Sequence, residues 1–334
     1  MKIGIVGSGL QCRRRIEAVV DSKEDQVVLV AGLHQASLDV VAKKYKIETT
    51  LDIDSLFSND QIEAVIICSP PSSHLRYMIL ALENKKKILV EKPISQTSQE
   101  LIALQEKFGS DVDKYIRCGF NHRFHPAIQQ MRSLLNQGAI GIPIFARAVY
   151  GICARDDYPK EWRANPDFAA GGQFIEQGSH LIDLFNWLVG IPTGIYCRTT
   201  NLIFENQPLE DGGMAILSFE NGMTAQMHTT LGQWHNKFEF EIFGDSGFLR
   251  AEGLGNTYGT EKLMFGKRDQ SAPFSEEVFQ FRGADKSWRD EWESFKLSFD
   301  VAGQDIAVFK DGLLAMQVAE AGYIANQTLT EVRI

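Results

Sequence analysis

Apolar residues in the first third of the chain come in short bursts separated by amphipathic stretches. The bursts Lys2–Val6, Val27–Leu33, Ala64–Cys68, Ile88–Val90 and Tyr115–Gly119 read as strands. Between them, Gln11–Val20, Leu38–Tyr45, His74–Asn84 and Gln99–Phe108 carry a helical period. Near-continuous apolar runs suit strands buried on both faces. Alternating units of this length predict a parallel sheet, and right-handed crossovers make it doubly wound.

The pattern changes after about Gly119. A helix is expected over Ala127–Asn136, and longer strands follow. Gly213–Phe219 and Met223–Thr230 flank Asn221-Gly222, a strong hairpin signal. Lys237–Phe243 alternates Phe238, Phe240 and Ile242 with Lys237, Glu239 and Glu241, which suits an antiparallel sheet with one wet face. Gly244-Asp245-Ser246-Gly247 turns that strand back. Trp288, Trp292, Phe295 and Phe299 fall at helical spacing, a stripe for core packing or an oligomer contact. The expectation is an α/β chain: a doubly wound parallel sheet over 1–120, then an α+β domain over 121–334.

Composition narrows the function. A chain of 334 residues that is 44% hydrophobic suits two domains. The net charge of -9 offers no basic footprint for nucleic acid. Five scattered cysteines without a CxxC pair fit a reduced, cytoplasmic protein. Lys2–Val6 is too short for a signal peptide, and no apolar run could span a bilayer. No His/Cys/Asp spacing suggests a metal. Lys85-Lys86-Lys87 reads as a solvated turn.

Candidate chemistry starts where Ile88–Val90 runs into Glu91-Lys92-Pro93. Proline cannot donate to a sheet ladder, so the strand stops there. Glu91 and Lys92 then stand at a strand's carboxyl end, the rim where open α/β sheets bind ligands. The alternative is an ordinary surface ion pair. Gly7-Ser8-Gly9 follows the first strand and opens the first helix, the context of a dinucleotide loop. Gly7 permits the tight turn, Gly9 lets a pyrophosphate approach, and the helix N-terminus offers N–H groups. Cys12 stands where a third glycine would serve helix–strand packing, so a plain glycine turn is the competing reading. Of Arg13, Arg14 and Arg15, one faces phosphate or all three are solvated. The second strand ends Gly32-Leu33-His34-Gln35, without the acid that usually holds ribose. Gln35 or Ser37 could bond the ribose and His34 could stack on adenine. The lack of a cation there leans towards NAD over NADP. In Ser69-Pro70-Pro71-Ser72-Ser73-His74, Ser72 or Ser73 could cap the next helix.

A second constellation runs from Gly171 to Asp183. On one helix, Glu176 and His180 share a face, and Asp183 lies one turn beyond. A carboxylate beside imidazole favours the charged ring and orients it. Hydride removal from an alcohol needs a base for the hydroxyl proton, a task suited to histidine. Alternatively His180 is only pinned by flanking acids. Arg155, Asp156, Asp157, Tyr158, Trp162 and Arg163 precede the helix. Aromatics among charges suit a sugar, with Trp162 and Arg163 facing it, or else form a polar surface loop.

The GxG loop, the Ser-Pro-Pro-x-x-His loop and Glu-Lys-Pro together resemble the Gfo/Idh/MocA family, which includes glucose–fructose oxidoreductase and inositol dehydrogenase. Gly119-Phe120-Asn121-His122-Arg123-Phe124, Gly138-Ala139-Ile140-Gly141, and Ala170-Gly171-Gly172 through His180 and Asp183 match further. So do Asp211, Gly244-Asp245-Ser246-Gly247 and Asp311-Gly312, so the likeness covers nearly the whole chain. It implies a Rossmann domain followed by a large open sheet that often forms the interface of a homodimer or homotetramer. It implies hydride transfer between NAD or NADP and a carbinol carbon of a sugar, amino sugar, sugar nucleotide or polyol. On this resemblance His180 is the general acid/base and Lys92 holds the substrate oxygen, or the two roles are exchanged. Glu176 joins them where the family more often has Asp. Trp162, Arg163 and Asp183 fall to the substrate. Gly7, Gly9, Leu10, His34, Ser69, Pro70, His74, Glu91 and Asn121 fall to the cofactor. His228, Trp234 and His235 resemble a subset found in surface-polysaccharide gene sets, which points to an amino sugar or sugar nucleotide. Two other activities fit the resemblance: a non-catalytic dinucleotide sensor and an NAD-using glycoside hydrolase.

Overall fold

The alternation of the first 119 residues closes into a single sheet in the computed structural model. Residues 1–204, 208–269 and 276–334 are described. The chain divides into two units, Met1–Asn121 with Trp288–Leu313, and His122–Ser287 with Leu314–Ile334.

In the first unit the elements are β1 (Lys2–Val6), α1 (Leu10–Asp21), β2 (Gln26–Ala31), α2 (Gln35–Tyr45), β3 (Glu48–Thr50), α3 (Ile53–Ser58), β4 (Ala64–Ile67), α4 (His74–Glu83), β5 (Lys87–Glu91), α5 (Ser98–Phe108), α6 (Asp111–Tyr115) and β6 (Ile116–Gly119). The strands run parallel in the order β6-β5-β4-β1-β2-β3. The order reverses at β1 and β4, the switch point beside which such sheets bind ligands. The loops after Val6, Ile67 and Glu91 therefore leave from one edge. Ile3, Ile5, Val30, Val65, Ile66, Leu89 and Val90 are fully buried. Each such side chain contributes about 1.5–3 kcal/mol by leaving water. β3 and α3 are additions to the sequence reading. α3 starts where the Asp52 side chain accepts from Ser55 N.

Residues 288–313 were expected in the second domain, yet they pack here. Ala307–Val308 pairs antiparallel with β6. The aromatic stripe lies on the helix Ser287–Leu297, with Trp292 and Phe295 buried and stacked 5.0 Å apart. Lys86 corrects the expectation of a solvated lysine turn. It is buried, and its ammonium donates to the carbonyls of Asn59 (2.8 Å) and Ile62 (2.7 Å).

The second unit holds α7 (Pro126–Asn136), β7 (Pro143–Cys153), α8 (Gln173–Glu176), α9 (Gly178–Leu188), β8 (Pro192–Thr200), β9 (Gly212–Phe219), β10 (Thr224–Thr230), β11 (Gly232–Gly244), β12 (Gly247–Glu252), β13 (Glu261–Lys267) and β14 (Glu276–Phe281). Its sheet runs β14-β13-β12-β11-β7-β10-β9-β8, with Val332–Arg333 on the β8 edge. Only β7 and β10, among these pairs, run parallel. The β9–β10 turn forms as read, with Gly222 at φ 83° and Asn221 accepting from Met223 N. Phe238, Phe240 and Ile242 are buried on the face that α7, α8 and α9 cover. The opposite face shows Phe145, Tyr196, Met214 and Ile216 to solvent.

Candidate active site

The β1–α1 loop is built for a close approach. Gly7 has φ 103°, and a Cβ there would stand 2.9 Å from the backbone of Cys68. Gly9 is the N-cap of α1, with open space around it. No side chain caps α1 and no acid occupies its first turn, so its N–H groups and positive dipole end are available to an anion. These residues fit a dinucleotide pyrophosphate. Cys12 is buried in the place of the third glycine, and burial pushes its thiol up to about 12. It stays neutral and packs.

Arg15 meets neither expectation for the arginine run. It is 1% exposed and lies between two buried carboxylates. Its Nε and Nη2 each lie 2.7 Å from Glu91 Oε1, and Nη1 donates to Glu291 Oε2. The ring of Trp288 lies 4.7 Å from the guanidinium. Burial works against this charge, but Glu291 and Glu91 more than offset it, and the guanidinium pKa rises above its usual value.

On the β4 rim, Ser73 does not cap α4 with its side chain. Its hydroxyl lies 2.7 Å from Ser69 Oγ and 2.8 Å from the carbonyl of Pro70. His74 is buried, with Nε2 2.7 Å from the Ser69 carbonyl and Nδ1 3.1 Å from the Pro93 carbonyl. Burial pushes its pKa down. A neutral imidazole has one N–H, so His74 donates to one of these two carbonyls and packs against the other, between the β4 loop and the segment just after Lys92. Lys92 itself is half-buried at the end of β5. Leu33 and His34 at the end of β2 are exposed, and His34 is the N-cap of α2. Leu10 opens α1 exposed, and Asn121 is buried after β6.

In the second unit the helix carrying His180 is broken. α8 ends at Glu176 and α9 begins at Gly178, with Gln177 between them still in the right-handed helical region (φ -97°, ψ -32°). Gly178 packs closely on the sheet below, where a Cβ would stand 3.0 Å from the terminal methyl of Met227. Gly171 and Gly172 serve the same end. A Cβ on either would fall 2.3 Å from Tyr323 Oη or 2.1 Å from the Glu210 carbonyl. Glu210 accepts from Phe174 N (3.1 Å) and Tyr323 Oη (2.7 Å), and burial raises its pKa.

Both acids flanking His180 carry an arginine. Arg123 grips Asp183 with two bonds, Nε to Oδ2 at 2.8 Å and Nη2 to Oδ1 at 2.6 Å, both side chains buried. Arg163 Nε donates to Glu176 Oε1 at 3.2 Å while its guanidinium lies 4.4 Å over Trp162. The structure therefore brings Trp162, Arg163 and Glu176 together. Tyr158 joins them; burial, then the charge of Glu176, raises its pKa. His180 is buried and stacks on His122, with ring centroids 3.7 Å apart and planes 26° from parallel. Tyr150 Oη lies 3.4 Å from His122 Nε2. Of the outlying residues, His228 is half-buried and Trp234 is 96% exposed.

Sequence reasoning missed Arg15, Glu291, His122 and Tyr150. His122 stood within a segment already singled out, but nothing local shows which ring it meets. Among the described residues no group of three or more His, Cys, Asp or Glu could hold a metal.

Comparisons with known proteins bear on this arrangement. Residues 1–114 match the profile of the oxidoreductase family with an NAD-binding Rossmann fold. Residues 128–250 match the GFO/IDH/MocA C-terminal domain. An inositol 2-dehydrogenase from Rhizobium meliloti is 24% identical over 96% of this chain and 95% of its own. A dTDP-3,4-didehydro-2,6-dideoxy-alpha-D-glucose 3-reductase from Saccharopolyspora spinosa is 26% identical over 74% of this chain and 73% of its own. Among solved structures, a levoglucosan dehydrogenase in complex with NADH superposes with TM-score 0.89 at 20% identity, covering 100% of this chain and 99% of that one.

Proposed function

The chain belongs to the Gfo/Idh/MocA family of NAD(P)-dependent oxidoreductases, and from there we propose that its substrate is a sugar, polyol or sugar nucleotide oxidised or reduced at a carbinol carbon. The observation that carries this reading is the glycine loop, whose shape admits a pyrophosphate, on the same sheet rim as Lys92. The inositol dehydrogenase and the sugar-nucleotide reductase among the relatives support the substrate class.

The bound nicotinamide supplies or takes the hydride. The protein must then manage the oxygen. In the oxidative direction the carbinol C–H leaves as hydride and the O–H bond releases its proton. His180 takes that proton, a role matched to an imidazole near neutral pH. The Lys92 ammonium donates to the same oxygen and stabilises its developing negative charge. Glu176 and Asp183 act through the arginines they hold, and Trp162 with Arg163 offers an aromatic face and a donor to hydroxyls. Gly7, Gly9 and Leu10 would hold the pyrophosphate, Ser69, Pro70 and Asn121 would add further cofactor contacts, and His34 could stack on adenine. The side chains of His74 and Glu91 are committed to backbone carbonyls and to Arg15, so they shape the cofactor's rim rather than bond it. No basic residue ends β2, which favours NAD over NADP.

The exposed apolar residues on the outer face of the second sheet suit a homodimer or homotetramer. Free cysteines throughout suit the cytoplasm. The test is a panel of sugars, polyols and sugar nucleotides, read by nicotinamide absorbance with NAD and NADP. At least one carbinol substrate should change that absorbance catalytically. Bound cofactor with no absorbance change across the panel would sink the reading. Product formed without net NADH would mark a hydrolase instead.

A further inference from the structure

We propose that Arg15 is a positioning residue that couples the glycine-loop helix to Lys92 through Glu91. The proposal rests on the role given to Lys92 above. Arg15 lies on α1, the helix whose N-terminus follows Gly9. Glu91 is the residue just before Lys92 and ends β5. The guanidinium donates one hydrogen bond to Glu91 from Nε and one to Glu291 from Nη1, Nη2 stays in ion-pair contact with Glu91, and Trp288 covers the group. One planar fork thus joins α1, the end of β5 and the helix Ser287–Leu297. The sequence leaves room for it: a Cβ on Gly119 would fall 2.7 Å from Arg15 Nη2.

Stability is a poor explanation for this group. Arg15, Glu91 and Glu291 are 1%, 5% and 0% exposed. Taking three ionised groups out of water costs desolvation, and well-packed apolar replacements of such triads are often as stable or more so. What the fork supplies is direction, since its donors have fixed geometry and hold a carboxylate in one orientation. Fixing the Glu91 carboxylate fixes the backbone from which Lys92 projects. The other side is packed as well, with His74 Nδ1 3.1 Å from the Pro93 carbonyl. Lys92 is therefore held before and after, and the hold on the Glu91 side begins on the helix that receives the phosphate. Cofactor seating and lysine aim share one rigid link.

The test is a double-mutant cycle on Arg15→Lys and Lys92→Ala, with a substrate that the wild type turns over. Arg15→Lys keeps a cation between the carboxylates but loses the fork. It should lower kcat roughly 10- to 100-fold, the scale of a misaimed group. Affinity for NADH should stay within about threefold. Arg15→Lys added to Lys92→Ala should cost no further kcat, because the effect runs through the lysine. Losses that multiply, or a fall in NADH affinity with kcat intact, would overturn the proposal. An unchanged rate in Lys92→Ala alone would instead overturn the role of Lys92. If Arg15→Lys does not fold, Arg15→Met with Glu91→Gln and Glu291→Leu replaces the triad without buried charge. That variant should fold, bind NADH and show the same kcat loss; wild-type kcat in it would overturn the proposal. Amide exchange over residues 88–95 gives a reading free of substrate. It should quicken in Arg15→Lys with NADH bound, and unchanged protection would count against the link.

Discussion

In the first unit, the backbone at Lys92 is fixed by a buried Glu–Arg–Glu triad on one side and an imidazole on the other. In the second, His180 lies face to face with His122, 3.7 Å away, and its flanking acids are taken by Arg123 and Arg163. The lysine follows a carboxylate that is already paired with a buried arginine. The histidine is packed against a ring. The two jobs proposed for them explain the contrast. An ammonium that stabilises an oxyanion must keep its charge and its aim. A group that shuttles a proton must be able to change charge. Both acids expected to flank His180 also pair with arginines, Asp183 with Arg123 and Glu176 with Arg163.

The largest effect should come from removing either proposed group. Lys92→Met and His180→Asn should each lower kcat by about 10²–10⁴, the usual worth of a positioned proton-transfer or oxyanion partner. NADH titrations would confirm that binding survives. A large loss in only one variant would break the pairing of the two regions.

The next effect separates buried from exposed ion pairs in the second unit. Arg123→Ala leaves Asp183 buried without its bidentate partner, and should cost about 3–5 kcal/mol in urea unfolding. Arg163→Ala removes a part-exposed pair and should cost only about 0–1 kcal/mol. Comparable costs would mean that Asp183 finds another partner.

A smaller change probes the ring stack. His122→Phe keeps an aromatic face for His180 and gives up the ring nitrogen that meets Tyr150 Oη. His122→Ala should be about 0.5–1.5 kcal/mol less stable than His122→Phe, the worth of an aromatic contact. Equal stabilities would mean that the stack contributes nothing.

The smallest effect lies in the first unit, at Asp25. Burial works against its charge, yet the N-terminal ammonium, Trp292, Lys296 and Ser22 hold it down to about 2 from an ordinary 3.8. A depressed folded pKa adds stability above the unfolded value. That stability fades as pH falls from about 4 towards 2. Asp25→Asn should flatten the melting-temperature profile in that window. A parallel profile for both proteins would contradict it.

Most of the scaffold was legible because it is written in local period. Strands such as β1 and β4 are short apolar bursts, and the Lys237–Ile242 stretch of β11 alternates in sequence. The glycine loop and the end of β5 were legible because Gly7 and Pro93 act on their own backbone. What escaped was long-range pairing. Three arginines in a row look solvated until the third meets Glu91 and Glu291. The break at Gln177 was hidden because apolar spacing continues through it. The return of residues 288–313 to the first unit has no local mark; the pairing of Ala307–Val308 with β6 reveals it.

The most direct measurement is a single-turnover experiment: enzyme loaded with reduced nicotinamide is mixed with the keto form of an active substrate, and the loss of cofactor fluorescence is timed. Wild type should oxidise its cofactor in one fast phase. Lys92→Met and His180→Asn should bind cofactor equally well yet slow that phase at least about a hundredfold. Wild-type speed in both variants would contradict the assignment of hydride transfer to these two side chains.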